Sequence, residues 1–164
     1  MKLGRKIRKI KTNILYFLKK NINSKIYDFI VFQLAKRKFL RSINAKKIIL
    51  SKSKKLDKIN KYEYKITSQN NEDGIINYLK TNIANPDHIF FEIGFDFNEF
   101  NSLNLIKENW SGTLIDGDQI KCDKLKVCIK KYFKSQKVNV YNNFVTYENI
   151  NEIITNSIKK KNFD

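Results

Sequence analysis

Cysteine, histidine and proline are nearly missing from this chain: two, one and one among 164 residues. Cys122 and Cys128 stand six apart on a predicted helix and so on different faces, which gives no disulfide framework. His88 has no partner histidine, so no zinc-type ligand set is present either. This cysteine usage fits a reducing, cytoplasmic compartment. Long apolar runs are also lacking: none reaches the roughly 18–20 residues that a membrane-spanning helix needs. The amino terminus is positively charged but has no compact apolar core with a small-residue cleavage site, which argues against a signal peptide. There are only five glycines, and the dinucleotide fingerprint G-x-G-x-x-G does not occur.

Acidic residues are scarce in one half only. Residues 1–61 hold 20 Lys and Arg against Asp28 and Asp57, a net charge of +18. Residues 62–164 hold 13 against 14, a net charge of −1. A compositional bias toward Lys, Asn and Ile would touch both halves alike, so the asymmetry belongs to the protein. What is present suffices for a core: 41% of the residues are hydrophobic and 13% aromatic, in a length that fits one ordinary domain.

The chain therefore divides into a basic, mostly helical extension, residues 1–61, and a domain, residues 62–164. In the extension, Ile7, Ile10, Ile14 and Phe17 recur at helical spacing with cations between them. Ser24 is placed to cap a second helix through the apolar residues 26–35, and Lys36, Arg37 and Lys38 close it at the end where the dipole favours cations. Residues 45–61 read as a lysine-rich connector. Three readings of the extension stand: a basic segment lying on an anionic membrane surface, a solvated extension packed on the domain or on another subunit, and a nucleic-acid-binding segment whose basic charge suits phosphates. The last is disfavoured, because no recognised nucleic-acid module occurs.

The domain is organised around residues 88–118. His88 to Ile93 is a short apolar run rich in β-formers, and Gly94 follows it. A helix is predicted over residues 98–109, then a turn at Trp110-Ser111-Gly112, then a second apolar tetrapeptide ending in Asp116. Strand, glycine turn, helix, strand and acid are the layout of a nucleotide-binding βαβ unit, although two buried strands of any α/β protein would read the same way. A glycine there lets a ligand approach the backbone. The following helix presents free N–H groups, and a carboxylate at the next strand end can accept both hydrogen bonds of a ribose diol.

On either side, Ser68 is placed to cap a helix with Glu72 and Asp73 in its first turn and Ile75, Ile76, Leu79 and Ile83 as its apolar stripe. Asn85-Pro86-Asp87 is a turn. Asp118 opens a helix with Cys122, Leu125, Ile129 and Phe133 on one face, and Lys121, Lys124, Lys130 and Lys131 read as its solvated surface. A third strand is predicted from Lys137 toward Val145, and a helix over residues 147–158 with Ile150, Ile153, Ile154 and Ile158 inward. Residues 162–164 look like the opening of a fourth strand. Three parallel strands in the order 3-2-1 are expected.

Taken in order, Ser68-Gln-Asn-Asn-Glu-Asp-Gly-Ile-Ile76, Phe91-Glu-Ile-Gly94, Trp110-Ser-Gly-Thr-Leu-Ile-Asp-Gly117, Asn143-Phe-Val-Thr146 and Glu148-Asn-Ile-Asn151 resemble the amino-terminal half of the FkbM-like methyltransferases. The resemblance covers roughly residues 66–164. It implies a Rossmann-like, class I methyltransferase sheet and S-adenosylmethionine (SAM) as cofactor. Glu92 and Gly94 would line its methionine end, Asp116 would hold the ribose diol, and Phe144 and Val145 would border the adenine. Gln69 and Asp73 would lie near the active-site mouth. It implies a methyl acceptor that is a sugar or polyketide-like hydroxyl in surface-polysaccharide or secondary metabolism, and names no base. Where the family has more glycine in the first loop, this chain has Asp96 and Asn98, which also tolerate positive φ. In the family, residue 164 leads into an acidic strand and the rest of the catalytic domain, so a truncated, cofactor-binding half is expected. Two other classes stay open: a different nucleotide enzyme such as an NAD-dependent one, which the missing glycines disfavour, and a non-catalytic membrane or protein-interaction module led by the extension.

Overall fold

The structure, a computed structural model, describes residues 2–48, 59–83, 87–134 and 137–159. The extension is two long helices, α1 (Lys2–Asn21) and α2 (Ser24–Ile43). The cap between them is Asn23, not Ser24: its side chain accepts from Lys25 N at 2.8 Å, which leaves Ser24 as the first helical residue. Of the predicted connector, residues 49–58 lie outside the described residues. Ile48, near its start, pairs in an antiparallel bridge with Lys65 beyond its end, after a single 3-10 turn at Asn60–Tyr62.

The domain is mixed α/β. Its described elements are α3 (Glu72–Asn82), β1 (Ile89–Ile93), α4 (Leu103–Lys107), β2 (Ser111–Asp116), α5 (Gln119–Tyr132), β3 (Val138–Asn142) and α6 (Ile150–Lys159). The strands form one sheet in the order β1-β2-β3, both pairs parallel, with Ile93 beside Ile115 and Ile115 beside Tyr141. The expected order and direction are therefore found. The proline turn is described only at Asp87, and residues 162–164 lie outside the described residues.

Strand periodicity assigns the two faces. Phe90, Leu114 and Val140 point to one face and are buried there with Cys122, Leu125, Cys128 and Ile129 of α5. α5 in turn lies under α2, whose Ala35 and Phe39 join the same core. A helix held between a sheet and another helix has two buried sides, which is why both cysteines are buried although they lie on different faces. The opposite sheet face is open along β1, where Ile89, Phe91 and Ile93 are exposed.

Four predicted elements differ in extent: β3 ends at Asn142, short of Val145, α6 begins at Ile150 and not at residue 147, and the helices on either side of β1 are shorter than expected. The helix expected over residues 98–109 is only Leu103–Lys107, because Phe95, Phe97 and Phe100 turn into the core ahead of it. α3 begins at Glu72, with Asn71 before it in the left-handed region, φ 73°, and making no side-chain cap bond; Ser68, upstream and fully buried, supplies the cap, its Oγ accepting from Asp73 N at 3.1 Å. Gly74 explains the tight seat of α3: a Cβ there would stand 1.9 Å from Tyr62 O and 2.6 Å from Tyr64 N.

Candidate functional site

In an open parallel sheet, ligands bind beyond the carboxyl ends of the strands. Here those ends are Gly94 after β1, Asp116 closing β2, and Asn142 closing β3. Gly94 has φ +70°, a left-handed conformation that L side chains rarely adopt. A Cβ on it would meet nothing within 4 Å, so conformation requires the glycine and the space above it is open. Its N–H donates to Ile115 O at 2.8 Å, which ties the turn to the neighbouring strand end.

Asp116 is nearly buried, its side chain 10% exposed, and its carboxylate is already engaged. Oδ1 accepts from Asp118 N at 2.7 Å, and Oδ2 from Phe95 N at 3.2 Å and Lys121 Nζ at 3.1 Å. Lys121 also donates to Phe95 O at 3.1 Å, so this one cation bridges the two loops. A carboxylate offers about four acceptor positions. With three filled, a diol donating twice would have to displace the Lys121 ammonium. Reading the lysines of α5 as a uniformly solvated surface overlooks this contact. The available signal was position: Lys121 falls in the first turn of the helix that Asp116 precedes.

Asp118 caps α5, accepting from Ile120 N at 2.8 Å and Lys121 N at 3.1 Å. Cys122, beneath it, donates to Asp116 O and Tyr141 O, both at 3.4 Å. Burial first, and then the Asp116 charge, push its thiol up to about 11, so it is not a nucleophile near neutral pH.

The third wall follows β3. Asn142 Nδ2 and Asn143 N both donate to Asp116 O, at 3.0 and 3.2 Å. Phe144 lies against Gly117, where a Cβ would come within 2.7 Å of its ring, and the residue is otherwise 77% exposed. Val145 beside it is half-buried. Asn149 holds this loop, donating to Phe144 O and accepting from Thr146 N, each at 2.8 Å. A cleft of about 350 Å³ opens between Ile115, Tyr141 and Asn143 on the sheet side and Asn149, Glu152 and Ile153 at α6.

The remaining candidates gather on the segment that starts α4. Glu92 Oε1 accepts from Asn101 N at 3.0 Å, and Oε2 from Ser102 N at 2.9 Å and Ser102 Oγ at 2.6 Å. Its carboxylate thereby supplies partners for amides just ahead of a short helix. Asp73 is buried, and its Oδ2 accepts from Ile66 N, Thr67 N and Ser68 N at 2.6–2.8 Å and from Ser68 Oγ at 2.7 Å. Its Oδ1 accepts from Asn104 Nδ2 of α4. Burial opposes the charge, but these backbone and hydroxyl donors outweigh it and hold the carboxyl below its ordinary range. Gln69 is exposed, and its carbonyl accepts from Lys65 Nζ at 3.3 Å.

Gly94, Asp116 and the Gly117–Phe144 contact thus lie at the carboxyl ends of the strands, and Lys121 joins the loop after β1 to Asp116. Glu92 is spent on Asn101 and Ser102, and Asp73 on the 66–68 loop and Asn104. No family model, curated protein or solved structure matches this chain.

Proposed function

We propose that this chain binds the cofactor of a SAM-dependent methyltransferase with a Rossmann-like, class I architecture, acting on the hydroxyl of a sugar or other small molecule. The observation that carries the reading is the pairing of two strand ends. Gly94, in a left-handed turn with open space above it, is hydrogen-bonded to the strand that ends in Asp116. That pairing offers an approachable backbone and a carboxylate side by side, as a nucleoside-bearing cofactor requires. The order and spacing of the segments that resemble the FkbM-like family supply the choice of SAM over other nucleotides.

SAM brings the methyl electrophile, so the protein's work is to hold it and to position the acceptor. In this reading Gly94 passes the methionine end and Asp116 takes the ribose diol in exchange for Lys121. Phe144 and Val145 border the adenine, the exposed aromatic ring of Phe144 being of the right kind for stacking. Glu92 acts through the 101–102 amides that it orders, Asp73 through the 66–68 loop, and Gln69 lies at the mouth.

Calorimetric titration of SAM into the wild type, Asp116→Ala and Asp118→Ala tests this. Losing charge-assisted bonds worth on the order of 1.5–3 kcal/mol lowers SAM affinity roughly tenfold to a hundredfold in Asp116→Ala. Asp118→Ala removes only a helix cap and leaves affinity within about threefold. No heat from the wild type, or equal small effects from both variants, would refute the assignment.

A further inference from the structure

Among the described residues, the stripe Ile7, Ile10, Ile14 and Phe17 is left largely uncovered. Helical spacing predicts one apolar face, and in the structure that face points outward: these residues are 47%, 51%, 52% and 66% exposed. α1 is fixed to the domain by its other side. Leu15 is buried against Tyr27, Val31 and Ile120. Lys19 Nζ meets both oxygens of Asp123, at 2.8 and 3.0 Å. Leu15 follows Ile14 by roughly 100° around the helix, and Lys19 follows Leu15 by one turn, so the anchored side and the stripe are different faces of one rigid element.

The surroundings of the stripe decide what it meets. At about 100° per residue, Lys9 and Lys20 flank it on one side and Lys11 on the other, all exposed. α1 contains eight Lys and Arg and no acid. A second copy of the same face would bring like charges together around a small apolar strip, which opposes self-association. Apolar side chains bordered by cations, on a helix lying flat against its domain, match a surface with an anionic rim and a hydrocarbon interior. No helix among the described residues is long and apolar enough to cross a membrane. We infer that α1 docks the protein in the plane of an anionic lipid surface, with Ile7, Ile10, Ile14 and Phe17 entering the headgroup boundary and the flanking lysines on the lipid phosphates. Docking of this kind presents the domain to a lipid-borne acceptor, but it stands whether or not the domain binds SAM.

The test uses the whole chain with vesicles of phosphatidylcholine, alone or mixed with phosphatidylglycerol, read by co-sedimentation. Binding is expected to the mixed vesicles only, and to weaken as NaCl rises from about 50 to about 500 mM. Ile10→Ser with Phe17→Ser lowers partitioning by at least about tenfold. Lys9→Gln with Lys11→Gln and Lys20→Gln lowers it on the order of a hundredfold. Because these side chains are exposed, both variants keep the wild-type thermal midpoint. Binding to neither vesicle, or equally to both, overturns the proposal. A serine variant that binds as well as wild type overturns insertion and leaves only charge adsorption. A concentration-dependent dimer that the serine variant dissolves assigns the stripe to a second copy and likewise overturns it.

Discussion

Removing the Asp73 carboxylate tests the energetic logic of the domain most directly. Asp73 is 5% exposed, and its Oδ2 alone satisfies the three consecutive amides of Ile66, Thr67 and Ser68. Asp73→Ala leaves those donors unpaired in a largely buried loop. At about 1–3 kcal/mol for each buried group, reduced where water reaches the half-buried Ile66, the expected loss is about 3–5 kcal/mol. A domain of this size has roughly 5–15 kcal/mol in total. Asp73→Asn keeps one oxygen for the three amides but turns an amide group toward Asn104 and loses the charge, for about 1–2 kcal/mol. Glu72→Ala is the control: its carboxylate serves the exposed amide of Asn70, so its loss costs under about 1 kcal/mol.

Urea denaturation followed through the single tryptophan, Trp110, reads all three, provided the denaturant slope stays constant. The dependence on pH is a second reading of the same residue. Its folded pKa lies below the ordinary value, so its contribution is complete above the unfolded pKa of roughly 4 and fades as pH falls through the folded pKa. The gap between wild type and Asp73→Ala should therefore be flat near neutrality and narrow only below about pH 4. An Asp73→Ala variant within about 1 kcal/mol of wild type, or no worse than Glu72→Ala, would refute the account.

Two further comparisons use the same assay. Gly74→Ala must move backbone, since the added methyl would meet Tyr62 O and Tyr64 N, and is expected to cost about 3 kcal/mol or more, whereas Gly94→Ala meets no atom and costs about 1–2 kcal/mol through its positive φ alone; a reversed order would contradict the seating of α3. Asp123→Ala strands the buried Tyr27 hydroxyl, which donates to it at 2.9 Å, and is expected to cost about 2–3 kcal/mol, while Lys19→Ala removes a partly exposed ion pair worth under about 1 kcal/mol. Equal losses would show that the ion pair, and not the Tyr27–Asp123 hydrogen bond, ties the extension to the domain.

Local chemistry made most of the architecture legible. Apolar tetrapeptides ending at Ile93, Asp116 and Tyr141, separated by helical periodicity, leave few arrangements other than a parallel sheet, because successive parallel strands need long crossovers. Asp118 was readable as a cap because capping depends on the residue's own side chain and the next three amides. The charge division at residue 61 and the apolar stripe of α1 are likewise properties of composition and spacing.

Tertiary structure decided whatever depended on a distant partner. The helix after β1 was shortened by the turning of Phe95, Phe97 and Phe100 into a core that includes α2, and by the use of the Asn101 and Ser102 amides by Glu92. Ser68 does cap α3, its Oγ accepting from Asp73 N, but it does so from a buried loop position that the reciprocal bonds to the Asp73 carboxylate fix. The pairing of Lys121 with Asp116 and Phe95 O depends on two strand ends standing side by side, and the outward turn of the α1 stripe depends on the burial of Leu15 against Tyr27, Val31 and Ile120. A repeat in the sequence fixes which residues of a helix share a face; only the three-dimensional packing of α1, α2 and α5 fixes which face is left to the solvent.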